Sequence, residues 1–559
     1  MAILTVSETT DFRPQNLDFG VDLVQFTNAT GTTQAIFSPS QIGLMWSGIS
    51  RPVQGSSGIN EFIVQLEALG STQFALLGGI TFSNWVTGID RVVVNGSSDD
   101  DVIDDSEVDD ILSGGLGNDN ITGRRGVNTI SGDDGDDLVA TERSLAFVDG
   151  GSGTDTLFIA RDYTSPTFLV DLIIDIRDGG GGRDIGDGTT LRNVESIRGA
   201  SGLGNDTIFG GDLNDNLSGG LGDDKLFCGG GNDGASGEDG ADFISGDAGI
   251  DILQGGDGND KLFGGADRDT VDGGFGDDIH DGGGGRDTMR GGTGNDSYYV
   301  DIEDFVSERS GEGFDTFYSK VDITLASNIE RLLLLGSAIS GTGNALSNII
   351  YGTSDANVLN GVAGADRLLG GGGDDNYIVD STGDRVFETL AGAAGGTDQV
   401  NSLVNHTLSA NVEELMLTGS GNWNGTGNDL ANSITGNTGN NYIDGKDGAD
   451  SMAGNAGLDN FLFTTALGSG NVDFIHDFTP SDDTLRLDDA IFAGLATGYL
   501  AVAAFHIGAV AADAGDRIIY DSATGNVYFD ADGAGGAAQV QFARLAAGLA
   551  LTNADIYVY

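Results

Sequence analysis

The chain has 559 residues and a formal net charge of −61, from 86 acidic against 25 basic residues. So strong a negative balance excludes nucleic acid and anionic membrane surfaces as partners, since both are polyanions. A single cysteine, Cys228, excludes an intrachain disulfide framework, and 95 glycines make the unfolded backbone costly to order.

Residues 1–95 alternate strand-like apolar runs such as NEFIVQLEAL and FALLGGITF with turns, hold no histidine, and predict a β-rich cap over a sheet edge. The opening MAILTVSETTDF has no basic stretch, apolar run or small-residue cleavage site, so a secretory signal peptide is not expected. Over 96–158, Asp101, Asp110, Asp119, Asp137 and Asp155 fall on a nine-residue grid, with Asn128 and Ala146 at two of its points. A spacer over 159–200 leads into the main block, 201–300. There Asp206, Asp215, Asp224, Asp233, Asp242, Asp251, Asp260, Asp269, Asp278, Asp287 and Asp296 stand at an unbroken spacing of nine. After a spacer over 301–342, the run 343–380 passes through Asn348, Asn357, Asp366 and Asp375. After another over 381–426, the run 427–463 passes through Asn432, Asn441, Asp450 and Asp459. An amide offers only a neutral oxygen, so the start of each of these two runs predicts weaker metal sites or plain turns.

A typical unit, GGDGNDKLF from Gly255 to Phe263, is a tight glycine turn, a carboxylate, and a short strand with one inward apolar residue. The inward position carries Ile208, Leu217, Leu226, Ile244, Leu253, Leu262, Val271, Met289 and Tyr298, with Ala235 and His280 out of character. A fixed nine-residue period of this kind predicts an all-β chain, an elongated parallel β-roll or β-solenoid. If two units make one coil, carboxylates eighteen apart stack at roughly 4.8 Å. The uncompensated repulsion is then on the order of 8 to 30 kcal/mol, against the roughly 5 to 15 kcal/mol a domain has in hand. The stack needs a cation, and carboxylates with glycine-turn carbonyls, without Cys or His at ligand spacing, favour Ca2+. A merely solvated acidic face leaves the fixed glycines unexplained.

Units of the form G-G-x-G-x-D-x-U-x in long glycine-rich blocks resemble the RTX (repeats in toxin) proteins exported by type I secretion. The resemblance implies a parallel β-roll whose turns chelate Ca2+ between successive coils, the motif aspartate serving as side-chain ligand. Carried over by position, that role falls on the twenty aspartates named above, from Asp101 to Asp459. Glu238 and Asp247 at the second glycine position and Asp267 at a later one depart from the pattern, and poor binding or distortion is expected there.

The spacers resemble one another: RNVESIRGAS, SNIERLLLLGS and ANVEELMLTGS share Asn-(Ile/Val)-Glu, and TGIDRVVVNGS is a fainter copy. Their acids, Glu195, Glu330, Glu413 and Asp90, are expected to cap a turn at the start of each run. The uncharged stretch Ala490–Ala512 is long enough to span a bilayer, but its Gly and Ala content and acidic flanks argue against a span. Segment 464–559 resembles the region after the last block in type I substrates, which implies an uncleaved export signal ending in ADIYVY. DADG at Asp530 predicts a hairpin turn, because no glutamate closes an EF-hand loop there.

No H-E-x-x-H, G-x-S-x-G or phosphate-cradling loop is present, and only the cap precedes the grid. The expectation is therefore a non-enzymatic, secreted calcium-binding structural protein of the cell surface, biofilm matrix or an S-layer-like lattice. Its expected partners are calcium ions and the type I secretion machinery, with surface glycans or further copies of itself. The alternative is a polysaccharide-modifying enzyme or glycan-binding adhesin on the same scaffold. Glu61, Glu67, Glu195, Glu330 and Glu413 would be its candidate carboxylates, and Trp46, Trp85 and Trp423 its candidate glycan contacts.

Overall fold

The computed structural model of the chain describes residues 2–6, 21–28, 31–36, 61–65, 91–96, 100–104, 109–124, 126–142, 145–160, 172–177, 183–184, 190–390 and 394–559. Asp90, Glu67, Trp46 and Trp85 lie outside them. The chain divides into two compact units, one of Met1–Asp296 with Glu303–Ser307, the other of Ser297–Ile302 with Glu308–Tyr559.

In the first unit the nine-residue repeats become strands that fall alternately into two parallel sheets. Asn216–Leu221, Gly234–Asp239, Ile252–Asp257, Thr270–Phe275 and Thr288–Thr293 run side by side in one. Lys225–Phe227, Phe243–Ala248, Lys261–Ala266 and Ile279–Gly284 do so in the other. Partners stand eighteen residues apart, as in Leu253 with Val271 and Leu262 with His280. Two repeats therefore make one coil of a parallel β-solenoid.

Each strand shows one side chain to the interior and its neighbours to the flank, as the two-residue strand period requires. Leu226, Ile244, Leu253, Leu262 and Met289 are fully buried, so each inward aliphatic contributes roughly 1.5–3 kcal/mol. On the flank, Phe209, Phe227, Phe243 and Phe263 from four successive coils form a row with ring centroids 4.8, 5.3 and 5.2 Å apart, the first pair stacked and the others tilted. Gly256 shows why the turns are glycine-rich: its φ of 118° is left-handed, and a Cβ there would strike the Glu238 backbone of the preceding coil.

The second unit follows the same plan with coils of unequal length. Leu332, Ile350, Leu368 and Val386 pair at offsets of eighteen. Tyr298 with Phe317 and Phe317 with Leu332 pair at nineteen and fifteen. The spacer segments here are coils too. Beyond them, Ile518–Asp521, Asn526–Phe529 and Val540–Arg544 form an antiparallel meander, packed through Phe463, Phe492, Phe529 and Phe542. Asp530 follows the strand Asn526–Phe529 and caps its turn by accepting the Gly533 N–H at 2.8 Å, as a hairpin requires. Among the described residues no helix is long and apolar enough to cross a membrane.

Candidate metal centre

The turns between strands stack as the strands do, which brings the motif aspartates into register. None of the twenty is more than 4% exposed. In the main block each aspartate from Asp206 to Asp278 donates its backbone N–H to Oδ1 of the aspartate eighteen residues on, at 2.6–2.9 Å. Two ladders result, Asp206-224-242-260-278-296 and Asp215-233-251-269-287. A shorter one joins Asp101, Asp119, Asp137 and Asp155, while Asp110 donates to Asn128 Oδ1. Asp366 and Asp375 accept from Asn348 and Asn357, and Asp450 and Asp459 from Asn432 and Asn441.

The second carboxylate oxygen is treated differently. Oδ2 of Asp119, Asp137, Asp155, Asp224, Asp233, Asp242, Asp251, Asp260, Asp269, Asp278, Asp366, Asp375, Asp450 and Asp459 is buried with no hydrogen-bond donor. Where the unit opens on glycine it lies over that glycine, and in Asp119, Asp137, Asp242, Asp251, Asp260, Asp269 and Asp278 it lies beside the carbonyl of the corresponding glycine one coil on. A Cβ built on Gly255 would come closer than 3.0 Å to both Asp260 Oδ2 and the Gly273 oxygen. This cradle accounts for glycine at that position in nine of the eleven units of the block, Ser201 and Cys228 being the exceptions, and it gathers anionic and carbonyl oxygens without a donor. Those oxygens fit a hard divalent cation. The electrostatics agree. Burial, reinforced by like charge on neighbouring rungs, pushes Asp119, Asp224, Asp233 and Asp269 up to about 7 and Asp278 to about 8, against the opposing pull of the N–H bonds.

The asparagines at the head of each later run make closed turns. Asn348 Nδ2 donates to the Ile329 carbonyl at 3.0 Å, Asn357 Nδ2 to Ala338, Asn432 Nδ2 to Val412, and Asn441 Nδ2 to Trp423. Their Oδ1 atoms accept N–H groups four residues back, from Asn344, Thr353, Asn428 and Asn437. The amide satisfies the turn by itself.

The expected distortion at the irregular units is not found. Glu238, Asp247 and Asp267 adopt left-handed φ values of 77°, 66° and 75°, where glycine stands in other units. Ser236 and Ser245 hydroxyls hold the Glu238 and Asp247 side chains, and strand register continues through both. Acidic residues tolerate this conformation because a short polar side chain can bond locally, at roughly 1–2 kcal/mol each. Cys228, at a first-glycine position, is fully buried.

Sequence reasoning missed the ladder rungs supplied by the spacers. Asp304 accepts from Asp287, Asp384 from Asp366, Asp398 from Asp375, Asp473 from Asp450 and Asp483 from Asp459. Asp384 continues the nine-residue grid of its run by one step beyond Asp375 and was available to the period, whereas Asp304, Asp398, Asp473 and Asp483 are off the grid and the period could not reveal them. Glu195, Glu330 and Glu413 cap Asp155, Asp315 and Asp398 by accepting their N–H groups at 2.8–3.0 Å. Trp423 is half-buried against the Gly421 backbone.

Two buried clusters bring three ligand atoms within 4.8 Å of one another: Asp278, His280 and Asp296, and Asp375, Glu388 and Asp398. His280 fills an inward strand position, and burial pushes its imidazole down to about 3, so it is neutral. Glu388 stands near the end of the third run and is pushed up to about 8 by burial and by its acidic neighbours.

Over 153 residues the chain is 40% identical to the endo-1,3-1,4-beta-glycanase ExsH of Rhizobium meliloti (strain 1021). The match takes in 27% of this chain and 30% of that protein, so the chain spans under a third of its relative's length. This similarity, with the two buried clusters, overturns the expectation that the chain is not an enzyme. The missing motifs excluded only the chemistries that carry a local signature, and carboxylate chemistry on sugars carries none. The model of the RTX calcium-binding nonapeptide repeat matches residues 104–139, 201–235, 236–271, 245–280, 272–301, 342–377 and 426–461, all of them runs whose turns carry the ladders. The chain carries the RTX calcium-binding nonapeptide repeat over those runs.

Proposed function

We propose that the chain is a secreted protein acting on extracellular polysaccharide, with the nonapeptide solenoid as a scaffold that calcium sets after export. The observation that carries this reading is the 40% identity to an endo-1,3-1,4-beta-glycanase. The ladders support its calcium dependence, since buried carboxylate oxygens without donors penalise the folded chain until a cation arrives. The ladder aspartates and first-glycine carbonyls would hold the ions, which supply positive charge where the fold concentrates negative charge. At calcium levels about tenfold above the site constant each site adds about 1.4 kcal/mol, and eight sites roughly 11 kcal/mol. That is the size of a whole domain's stability. Where free calcium is scarce the chain stays export-competent, and where it is plentiful the chain folds.

The test is to incubate the purified full chain with mixed-linkage 1,3-1,4-β-glucan, in calcium and in chelator. Release of reducing ends and co-sedimentation with the insoluble polymer are followed. Calcium-dependent cleavage or binding is expected. A calcium-loaded, folded chain that neither cleaves nor retains the polymer sinks the reading.

A further inference from the structure

We propose that Asp375, Glu388 and Asp398 form a calcium site of their own kind, in which a spacer glutamate converts the end of the third run from an ordinary ladder turn into a three-carboxylate centre. The three side chains come from different stretches. Asp375 is a repeat aspartate, while Glu388 and Asp398 are supplied by the following segment and lie off the grid. The fold brings one oxygen of each within 4.8 Å of the others. All three are at most 8% exposed.

Each also carries an oxygen with no hydrogen-bond donor: Asp375 Oδ2, Glu388 Oε2 and Asp398 Oδ2. Their other oxygens are engaged. Asp375 Oδ1 accepts from Asn357 at 2.7 Å and Asp398 Oδ1 from Asp375 at 2.9 Å. Glu388 Oε1 accepts the Tyr377 hydroxyl, and the Gly370 backbone N–H also bonds the carboxylate. One oxygen of each carboxylate is thus fixed by the fold, and the remaining oxygens converge. No Lys, Arg or His side chain forms an ion pair with any of the three among the described residues. Three carboxylates this close repel strongly at low dielectric, and a divalent ion removes most of that repulsion.

The arrangement is not an accident of one coil. In chain order Tyr298, Glu308, Asp315 and Glu330 parallel Tyr377, Glu388, Asp398 and Glu413. Tyr298 donates to Glu308 as Tyr377 does to Glu388, and Glu330 caps Asp315 as Glu413 caps Asp398. An ordinary ladder cradle offers one carboxylate oxygen and one glycine carbonyl from the neighbouring coil. Three charged ligands make a tighter site, because ligand charge is a main determinant of calcium affinity. This centre therefore fills before the ladder turns.

Terbium, a hard oxygen-seeking ion that tyrosine sensitises, reads the site directly through the adjacent Tyr377 ring. Substoichiometric terbium added to the full chain should give tyrosine-excited emission that calcium displaces. Glu388→Gln should weaken this first-filling step about tenfold or more while later steps persist. Tyr377→Phe should lower the sensitised emission more than it lowers binding followed by direct terbium excitation. An unchanged first step in Glu388→Gln overturns the proposal. If that variant does not fold, a terbium-grown crystal of the unaltered chain decides: an anomalous peak between the three carboxylates supports the site, and peaks confined to the glycine turns overturn it. Neither readout involves polysaccharide, so failure here is distinct from failure of the glycan reading.

Discussion

The aspartate turns of the main block and the asparagine turns that open the later runs are two versions of one structure. Both pair strands at an offset of eighteen and bury an inward aliphatic of the same class, such as Leu262 and Ile350. Their side chains differ by a single atom, and the amide turn also has a donor, the Asn344 N–H, where the main block has a left-handed glycine. Asn348 places an N–H2 where it reaches the Ile329 carbonyl, whereas Asp260 leaves an oxygen buried beside the Gly273 carbonyl with nothing to accept. The amide turn is complete in the protein alone. The carboxylate turn is complete only with a cation, so calcium dependence is a local property of each turn.

The largest expected consequence is seen on chelation at neutral pH. Hydrogen exchange should show amide protection lost first over 206–296, while the asparagine turns at 348–357 and 432–441 hold their protection longest. Calcium should restore the main block cooperatively. Equal loss at all turns would contradict a difference built into one atom.

Acidity should separate the two kinds of turn in the opposite direction. Burial raises Asp224, Asp233, Asp242 and Asp269 from 3.8 to about 7. Between these values the folded, calcium-free chain binds more protons than the unfolded one. The stability this brings is fully present below about pH 4 and is lost as pH rises through about 7. In chelator the main block should therefore melt at a higher temperature at pH 5 than at pH 8. With calcium the order reverses, because the ion requires ionised carboxylates. Melting curves at the two pH values, with and without calcium, check both signs, and a chelated chain more stable at pH 8 would break the account.

Much of this was legible in the sequence. The spacing of nine between aspartates gave the coil, because a strand pair has no other way to place Leu217, Leu253 and Leu262 inward at the same interval. What the period could not show was geometry that depends on hydrogen atoms. The asparagines could be weak sites or plain turns on composition, and only the Nδ2 contacts decide for plain turns. Nor could a fixed grid reveal Asp398 or Glu388, since spacer coils have other lengths, although Asp384 extends the grid by one step and was open to it. The parallel between Tyr298…Glu308 and Tyr377…Glu388 was the one available signal, visible by aligning the spacers with each other. The distortion expected at the irregular units is absent for a different reason: Asp247 and Glu238 look foreign at a glycine position, yet nearby serine hydroxyls hold their side chains in the left-handed turn.

The sharpest test exchanges the one atom that differs. Asp260→Asn, with Oδ1 still accepting the Asp242 N–H, places a donor beside the Gly273 carbonyl of the following coil. It should remove calcium from that turn and stabilise the chelated chain, by about 1–3 kcal/mol, the cost of a buried unsatisfied acceptor. Asn348→Asp does the reverse. It takes from the Ile329 carbonyl one of its two donors, Asn344 Nδ2 remaining, and creates a buried oxygen without one, so the chelated chain should lose a similar amount. Whether calcium recovers that loss depends on a second feature of the turn. Asn344 stands where the main block has its left-handed glycine, and its N–H now points at the side chain of residue 348. A carboxylate there already has one donor, so calcium should recover only part of the loss. Pairing Asn348→Asp with Asn344→Gly should recover the rest. Denaturant unfolding of both variants with and without calcium measures this, and full recovery in the single variant would show that the glycine has no part in shaping the site.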